Sequence, residues 1–286
     1  MNLPFDVTQA LTLARAGGVE RLDAQRLLAL LMGQPRSWLV AHGDAVLNDE
    51  QSAAFRAGLA RLASGEPLAY LTGEQEFHGL LLSVSPQVLV PRADTEVLVD
   101  WAIERLSAGP VAPEVLDLGT GSGAIALALA HACPTSRVSA VDASPAALAV
   151  ARANGERLGL SVEWIESDWW VAMAQRRFDL IVSNPPYISG NDAHLAALHH
   201  EPLMALTPGG DGLDALRHIA AGAARHLRPG GWLLLEHGYD QAEAVSALLR
   251  SHGLHDVQTR HDLAGHPRCT GARLPGAPVG ARPHIP

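Results

Sequence analysis

The sequence predicts an α/β protein: a doubly wound, mostly parallel sheet with a small N-terminal helical domain. Three observations predict it. From residue 115 onward, short apolar runs alternate with helical patterns, as strand–helix–strand crossovers in a parallel sheet require. The first of these runs ends in a glycine-rich turn that opens a helix. Over residues 1–65, by contrast, the apolar positions recur at helical spacing, and the character of the chain changes near residue 76. A length of 286 residues exceeds a typical single domain, and 48% hydrophobic content is ample for a buried core.

The helical domain is expected over residues 1–76. Its helices are expected at 8–16, at 23–32 with Leu27, Leu28, Leu30 and Leu31, and at 49–63 with Phe55, Leu59 and Leu62 on one stripe. Asn48 followed by Gln51 resembles a capping box, and Gly65 is placed to stop that helix. A hairpin linker is expected over 77–91, because 80–84 and 88–90 alternate around Ser85-Pro86-Gln87. The large domain then covers 92–274. Asp94 is a suitable N-cap for a helix carrying Val97, Leu98, Trp101 and Ala102. Strands are expected at 115–118, 137–141, 162–165, 178–182, 232–236 and 257–260, with helices opened by Ser144-Pro145 and running over 241–251. Residues 275–286, rich in Pro, Gly and Ala without periodicity, are expected to be a disordered tail.

The glycine turn carries chemistry. Val115-Leu116-Asp117-Leu118-Gly119-Thr120-Gly121-Ser122-Gly123 reads as a buried strand, a tight turn and a helix start. Glycines at alternate positions let a ligand approach where a β-carbon collides, and the N–H groups opening the next helix favour an anionic group. Asp142 lies nineteen residues after Gly123, at the end of the second strand, where a carboxylate can accept both hydroxyls of a ribose. This is a nucleoside site, with Thr120 and Ser122 counted in its loop. A glycine loop with a spaced acid also serves dinucleotides. Here, however, Asp117 opens the loop, facing a pyrophosphate unfavourably while suiting the ammonium of an amino acid. That favours S-adenosylmethionine over NAD, and nothing else in the chain resembles hydride chemistry.

The second stretch is Asn184-Pro185-Pro186-Tyr187, directly after the apolar run 178–183. Each proline fixes φ and removes a backbone N–H, so the strand stops there. The Asn184 side-chain oxygen and the carbonyl after it can each accept one N–H of a planar NH2 group, between the proline and tyrosine faces. The corner is a socket for an amide or an aromatic amine; taken alone, it is equally a Pro-Pro turn capping an edge strand. Gly119, Asp142, Asp168-Trp169 and Asn184 all fall at carboxyl ends of expected strands, where ligands gather in such sheets. Trp169 suits core filling or adenine stacking, and Asp168 a helix cap or the same site.

Composition narrows the classes further. A formal charge of −9 weakens a nucleic-acid reading without excluding a local basic patch, since binding to phosphates draws on clustered Arg or Lys. All 21 basic residues are Arg, which reads as coding bias. No apolar run reaches the roughly 20 residues that span a bilayer, and residues 1–10 lack a signal-peptide pattern, so a cytoplasmic protein is expected. Two cysteines, Cys133 and Cys269, argue against a disulfide framework. His199-His200, His252 with His255, and His261 with His266 read as solvated loop histidines, and no metal is expected.

Several separate stretches carry a family resemblance. They are Glu66-Pro67-Leu68-Ala69-Tyr70-Leu71-Thr72-Gly73, Phe77-His78-Gly79, Val90-Pro91-Arg92 with Asp94-Thr95-Glu96, the glycine loop, Asn184 to Ile188, Glu201-Pro202 with Ala205-Leu206, Gly210-Asp211-Gly212-Leu213, and Asp262 to Arg268. Over nearly its whole length the chain resembles the protein-(glutamine-N5) methyltransferases of peptide-chain release factors, the HemK-type enzymes. The Asn-Pro-Pro-Tyr motif is shared with many amino-methyltransferases, including DNA adenine enzymes; the Pro-Arg-x-Asp-Thr-Glu segment and the helical module are much narrower. The resemblance implies a fold of the S-adenosylmethionine-dependent methyltransferase type. It implies methyl transfer from that donor, leaving S-adenosylhomocysteine, to the glutamine amide of a Gly-Gly-Gln loop. Carried over, Gly119 to Gly123 hold the methionine end of the donor, Asp142 its ribose and Trp169 its adenine. Asn184, Pro185, Pro186 and Tyr187 cradle the glutamine, and the helical module helps grip the protein substrate. Ala93 departs from the proline frequent at that position, and Leu198-His199-His200 departs from the family's pattern near the substrate mouth. Two other readings stay open here: an amino-methyltransferase acting on nucleic-acid adenine or on a ribosomal-protein glutamine, and a non-catalytic nucleotide-binding module.

Overall fold

The computed structural model describes residues 5–276, so the tail expected at 275–286 lies outside the described residues from position 277. The chain divides into two compact units, one up to Glu74 and one from Gln75 onward. In the first, α1 (Val7–Ala16), α2 (Arg21–Met32), α3 (Arg36–Ala41), α4 (Asp49–Ala63) and α5 (Leu68–Thr72) enclose a core that includes Val7, Leu28, Leu39 and Phe55. Two of these helices start in capping boxes: Asp6 with Gln9, and Asn48 with Gln51, each carboxylate or amide oxygen accepting an N–H at 2.8 Å. Such a cap contributes about 1 kcal/mol. The sequence reading leaves α3 and α5 unassigned because six and five residues are too few to display a helical period.

β1 (Glu74–Phe77) and β2 (Leu80–Ser83) form a hairpin, which corrects the expected one. Ser85-Pro86-Gln87 does make a turn, the Val88 N–H donating to the Ser85 carbonyl at 3.1 Å, but residues 88–90 form no strand. The hairpin turns instead at His78-Gly79, both in the left-handed region (φ 49° and 77°) that matches the twist of paired strands. α6 (Glu96–Ser107) follows a 3-10 turn at Ala93–Thr95. Asp94 is not its cap: Thr95 takes that position, and the Asp94 carboxylate pairs with Arg268 at 3.3 Å.

The remaining strands, β3 (Glu114–Leu118), β4 (Arg137–Asp142), β5 (Glu163–Glu166), β6 (Phe178–Ser183), β7 (Leu227–Glu236), β8 (His255–His261) and β9 (Pro267–Arg273), make one sheet in the order β5-β4-β3-β6-β7-β9-β8. The first five are parallel, and β9 runs antiparallel to both β7 and β8. Alternate strand residues sort onto two cores. Val115, Leu180, Val182 and Leu234 pack with α6 and α7 (Ala124–Ala132) on one face; Leu116, Leu118, Ile181 and Leu235 pack with α10 (Asp214–His226) and α11 (Ala242–Ser251) on the other. α8 (Pro145–Leu158) and the one-turn α9 (Leu203–Leu206) complete the unit, the Ser144 hydroxyl accepting the Ala147 N–H at 3.2 Å to start α8.

The sequence reading assigned neither α10 nor β9. β9 starts at Pro267 and contains Gly271, two residues that weaken a strand pattern. The glycine is required: a β-carbon there would stand 2.4 Å from the Leu234 side chain and 2.7 Å from Trp101. His255 and His261 sit at the two ends of β8, not in loops. Among the described residues no helix is long and apolar enough to cross a membrane. The topology fixes where a ligand belongs, because chain order reverses between β3 and β6 and the crevice at their carboxyl ends is the switch point.

Candidate active site

The glycine loop leaves β3 at that switch point. The Gly119 and Thr120 N–H groups both donate to the Val141 carbonyl at 2.9 Å, which ties the loop to β4. Gly119, Gly121 and Gly123 have φ of 74°, 56° and 84°, a backbone that side chains disfavour. Asp142 closes the loop from the next strand, accepting the Gly121 N–H on Oδ2 and the Ser144 N–H on Oδ1, each at 2.9 Å. Burial pushes its pKa up, and those backbone donors oppose the shift. A carboxylate offers about four acceptor positions, so these backbone donors leave it capacity to accept a hydroxyl. The residues therefore fit a ribose.

Trp169 takes φ 46°, unusual for a bulky side chain. This brings its indole over the loop, 3.6 Å from where a Gly119 β-carbon would be. Next to it, Trp170 stacks on His226 at 4.7 Å and donates Nε1–H to the His218 carbonyl at 3.2 Å, which anchors the segment to α10. Gly119, Gly121, Asp142, Asp168, Trp169 and Asn184 line one cavity of about 530 Å³, a volume suited to a nucleoside-sized ligand.

Other residues expected in the cofactor site lie beneath the cavity wall. Asp117 is fully buried; its Oδ2 accepts the Thr120 hydroxyl at 2.7 Å and the Ala126 N–H at 3.2 Å, and its Oδ1 has no hydrogen-bond partner. Burial pushes it up to about 7. It staples the loop to α7, and it does not stand on the wall where an ammonium was expected. Ser122 is buried with its carbonyl accepting from Asn154 at 3.0 Å, and Gly123 begins α7 against Trp164 and Leu127.

The Asn-Pro-Pro-Tyr corner leaves β6 beside this loop, and the Ser183 hydroxyl donates to the Leu118 carbonyl at 2.6 Å to hold the two strand ends together. Asn184 Nδ2 donates to the Thr95 hydroxyl at 3.1 Å, and the Tyr187 hydroxyl donates to Glu236 Oε1 at 3.2 Å. Gln241 Nε2 donates to the Tyr187 carbonyl at 3.0 Å, and Gly212 packs so closely that a β-carbon would stand 2.4 Å from that carbonyl oxygen. Asn184, Pro185, Tyr187 and Glu236 line a second cavity of about 620 Å³, whereas Pro186 faces the first. Asn184 borders both. At the rim, buried Glu201 accepts the Val90 N–H at 3.0 Å and pairs with Arg92, which pins the 88–92 segment beside the corner.

Sequence reasoning gave no role to Thr95, Glu236, Gln241 or Arg268. Glu236 ends β7, and the rule that ligands gather at carboxyl ends of strands was the signal available for it. Chemically, one cavity can hold a nucleoside and the other a planar amide, with an acceptor oxygen at their boundary.

Comparison with known proteins bears on both units. A model described as the PrmC N-terminal domain matches residues 8–73, and one described as the Methyltransferase small domain matches residues 95–211. A release factor glutamine methyltransferase of Bordetella pertussis is 52% identical over 260 residues, covering 90% of this chain and 96% of that protein. One of Escherichia coli is 42% identical over 268 residues, covering 93% and 96%. Among solved structures, a T. thermophilus 16S rRNA N2 G1207 methyltransferase in complex with AdoMet and guanosine is similar in fold. Its TM-score is 0.54 at 24% identity, over 70% of this chain and 49% of that one. A methyltransferase from Pyrococcus furiosus has a TM-score of 0.53 at 19% identity, over 80% and 100%.

Proposed function

The chain belongs to the release factor glutamine methyltransferases, and from that premise we propose that it methylates the N5 amide of the glutamine in a release factor's Gly-Gly-Gln loop, with S-adenosylmethionine as donor. The observation that carries this reading is Asn184, which borders both the cavity at the glycine loop and the one at the Asn-Pro-Pro-Tyr corner. When bound, the donor supplies a methyl group on a sulfonium. Asp142 would hold the ribose, Trp169 the adenine face, and the Gly119–Gly123 loop the amino-acid end.

The rest is work for the protein's own residues. An amide nitrogen is a weak nucleophile because its lone pair is delocalised, so positioning has to supply much of the rate. The Asn184 oxygen and the Pro185 carbonyl would each accept one N–H, favouring pyramidalisation and stabilising positive charge as it develops on nitrogen. Pro185 and Tyr187 flank the amide plane. A neutral Asn suits this better than Asp, since a full negative charge would hold the sulfonium in the ground state. The proton becomes far more acidic once the methyl has arrived, so a dedicated carboxylate base is not required.

The same reading assigns selection of the protein partner to the helical unit, puts the reaction in the cytoplasm with its substrate, and involves neither nucleic acid nor membrane. Removing residues up to Gly73 should raise the apparent KM for an intact release factor while calorimetric donor affinity stays within about twofold. A truncated protein with unchanged KM would take the unit out of recognition. The function itself is tested by mass spectrometry of a release factor incubated with this protein and the donor. A gain of one methyl on the loop glutamine supports it, whereas an unmodified glutamine, or faster methylation of adenine in nucleic acid, would overturn it.

A further inference from the structure

The cavity at the glycine loop and the cavity at the acceptor corner share Asn184, Leu89 and Ala205 among their lining residues. Asn184 belongs to the Asn-Pro-Pro-Tyr corner, but the other two arrive from segments outside both motifs. Of the three, only Asn184 has a side chain that forms hydrogen bonds. Leu89 and Ala205 bring apolar bulk alone to the boundary.

Each of the two is held in a fixed frame. Leu89 lies between Val88 and Val90, which are 1% and 4% exposed; with its neighbours turned into the body, half-buried Leu89 faces the cavities. Pro91 fixes φ directly after them. Ala205 lies in α9, where buried Leu206 accepts the Ile188 N–H on its carbonyl at 3.0 Å and ties the helix to the acceptor corner. Glu201 joins the frames. Its side chain accepts the Val90 N–H and pairs with Arg92, while its backbone runs through Pro202 into α9. One buried residue thus ties the Leu89 segment to the Ala205 helix.

On the glutamine-transfer reading above, a carbon has to cross this boundary. The electron pair of the amide nitrogen forms the new C–N bond as the C–S bond breaks; the pair of that bond stays on sulfur, leaving a neutral thioether, and the N–H proton passes to water. Nitrogen, carbon and sulfur have to be aligned for this displacement. A second carbon on the transferred group therefore projects sideways, against the walls of the passage. We infer that Leu89 and Ala205 are those walls, and that as specificity-determining residues they restrict transfer to a one-carbon group. The limit is made by side-chain bulk and not by charge, so it moves with side-chain size. It rests on the glutamine-transfer reading for the acceptor, while the fit of the donor's alkyl group belongs to the protein without acceptor.

The test uses the full chain, the substitutions Leu89→Ala and Ala205→Val, and three ligands. These are S-adenosylmethionine, its S-ethyl analogue, and S-adenosylhomocysteine, which has no group to pass. By calorimetry without acceptor, the parent should bind the ethyl analogue about 10-fold or more weakly than the methyl donor, the cost of one carbon too many in a fitted apolar site. Leu89→Ala should bring the two within about threefold, and Ala205→Val should weaken both alkyl donors, each variant keeping S-adenosylhomocysteine affinity within about twofold of the parent. With release factor present, the ratio of ethyl to methyl transfer, read by mass spectrometry of the loop glutamine, should rise about 10-fold or more in Leu89→Ala. Leu89→Val makes a smaller change in the same direction and serves if the alanine variant does not fold. A parent that binds and transfers ethyl as well as methyl would overturn the inference. So would a ratio that no substitution at Leu89 moves, or losses that fall equally on S-adenosylhomocysteine and the alkyl donors. Absence of glutamine methylation by the parent would instead defeat the glutamine reading, with the binding ratio still deciding the passage.

Discussion

The two sides of the site stand on similar foundations built in different ways. Under the donor side, Oδ2 of Asp117 is held by Thr120 and Ala126 of its own strand–turn–helix, all within ten consecutive residues. Under the acceptor side, Glu236 accepts the Tyr187 hydroxyl and Thr95 accepts Asn184 Nδ2, pairs that join residues far apart in the chain. Both carboxyls are buried and both are pushed up to about 7. The donor side is thus a local backbone structure that a contiguous motif can encode. The acceptor side is a side-chain assembly that exists only once the sheet has formed, held by separate hydrogen bonds between distant segments.

Substitutions should separate the two sides. The largest effect is expected at Asn184, where loss of the acceptor oxygen in Asn184→Ala should lower the methyl-transfer rate about 10²- to 10³-fold, read by single-turnover assay. If Asp142 holds the ribose as proposed, Asp142→Ala should weaken donor binding by about 1.5 to 3 kcal/mol in calorimetry. Unchanged affinity in the folded variant would remove Asp142 from the donor side.

Gly212→Ala acts on the acceptor side from outside it. The new β-carbon would meet the Tyr187 carbonyl at 2.4 Å in a backbone of φ 83°, so the corner must shift. A stability loss of about 1 to 3 kcal/mol is expected by denaturant melting, with a fall in kcat and an unchanged donor affinity. A variant as stable and active as the parent would mean that the corner tolerates displacement.

A further effect is on stability against pH. Asp117 and Glu236 both titrate near 7 in the folded protein, above the usual unfolded values of about 4, so the folded state binds more protons between those limits. Their contribution is therefore most favourable below about pH 4 and declines as pH rises through 7. Asp117→Asn and Glu236→Gln should each flatten part of that decline in thermal melts. A slope left unaltered by both would mean that these carboxyls do not carry the raised values.

This contrast also explains what the sequence made legible. The glycine loop, Asp142, Trp169 and the Asn-Pro-Pro-Tyr corner announce themselves because each requires a specific residue type at the end of a strand. Thr95 and Glu236 are common residues in ordinary contexts, given meaning only by the β3–β6–β7 neighbourhood. The parallel strands and long helices were readable from apolar periodicity. The hairpin was misplaced because Ser-Pro is a stronger turn signal than His78-Gly79, whereas pairing was decided by two consecutive left-handed residues. β9 escaped because its proline and glycine obscure a strand whose partners are supplied by β7 and β8.

The most direct test of the division between the sides is a pair of measurements on Asn184→Ala: donor affinity by calorimetry and methyl-transfer rate at saturating donor and release factor. Donor affinity within about threefold of the parent, together with a rate lower by about 100-fold or more, is the result expected if Asn184 acts mainly on the acceptor as charge develops. Equal losses in affinity and rate would contradict it, making Asn184 a part of the donor side and leaving the amide to be held by other groups.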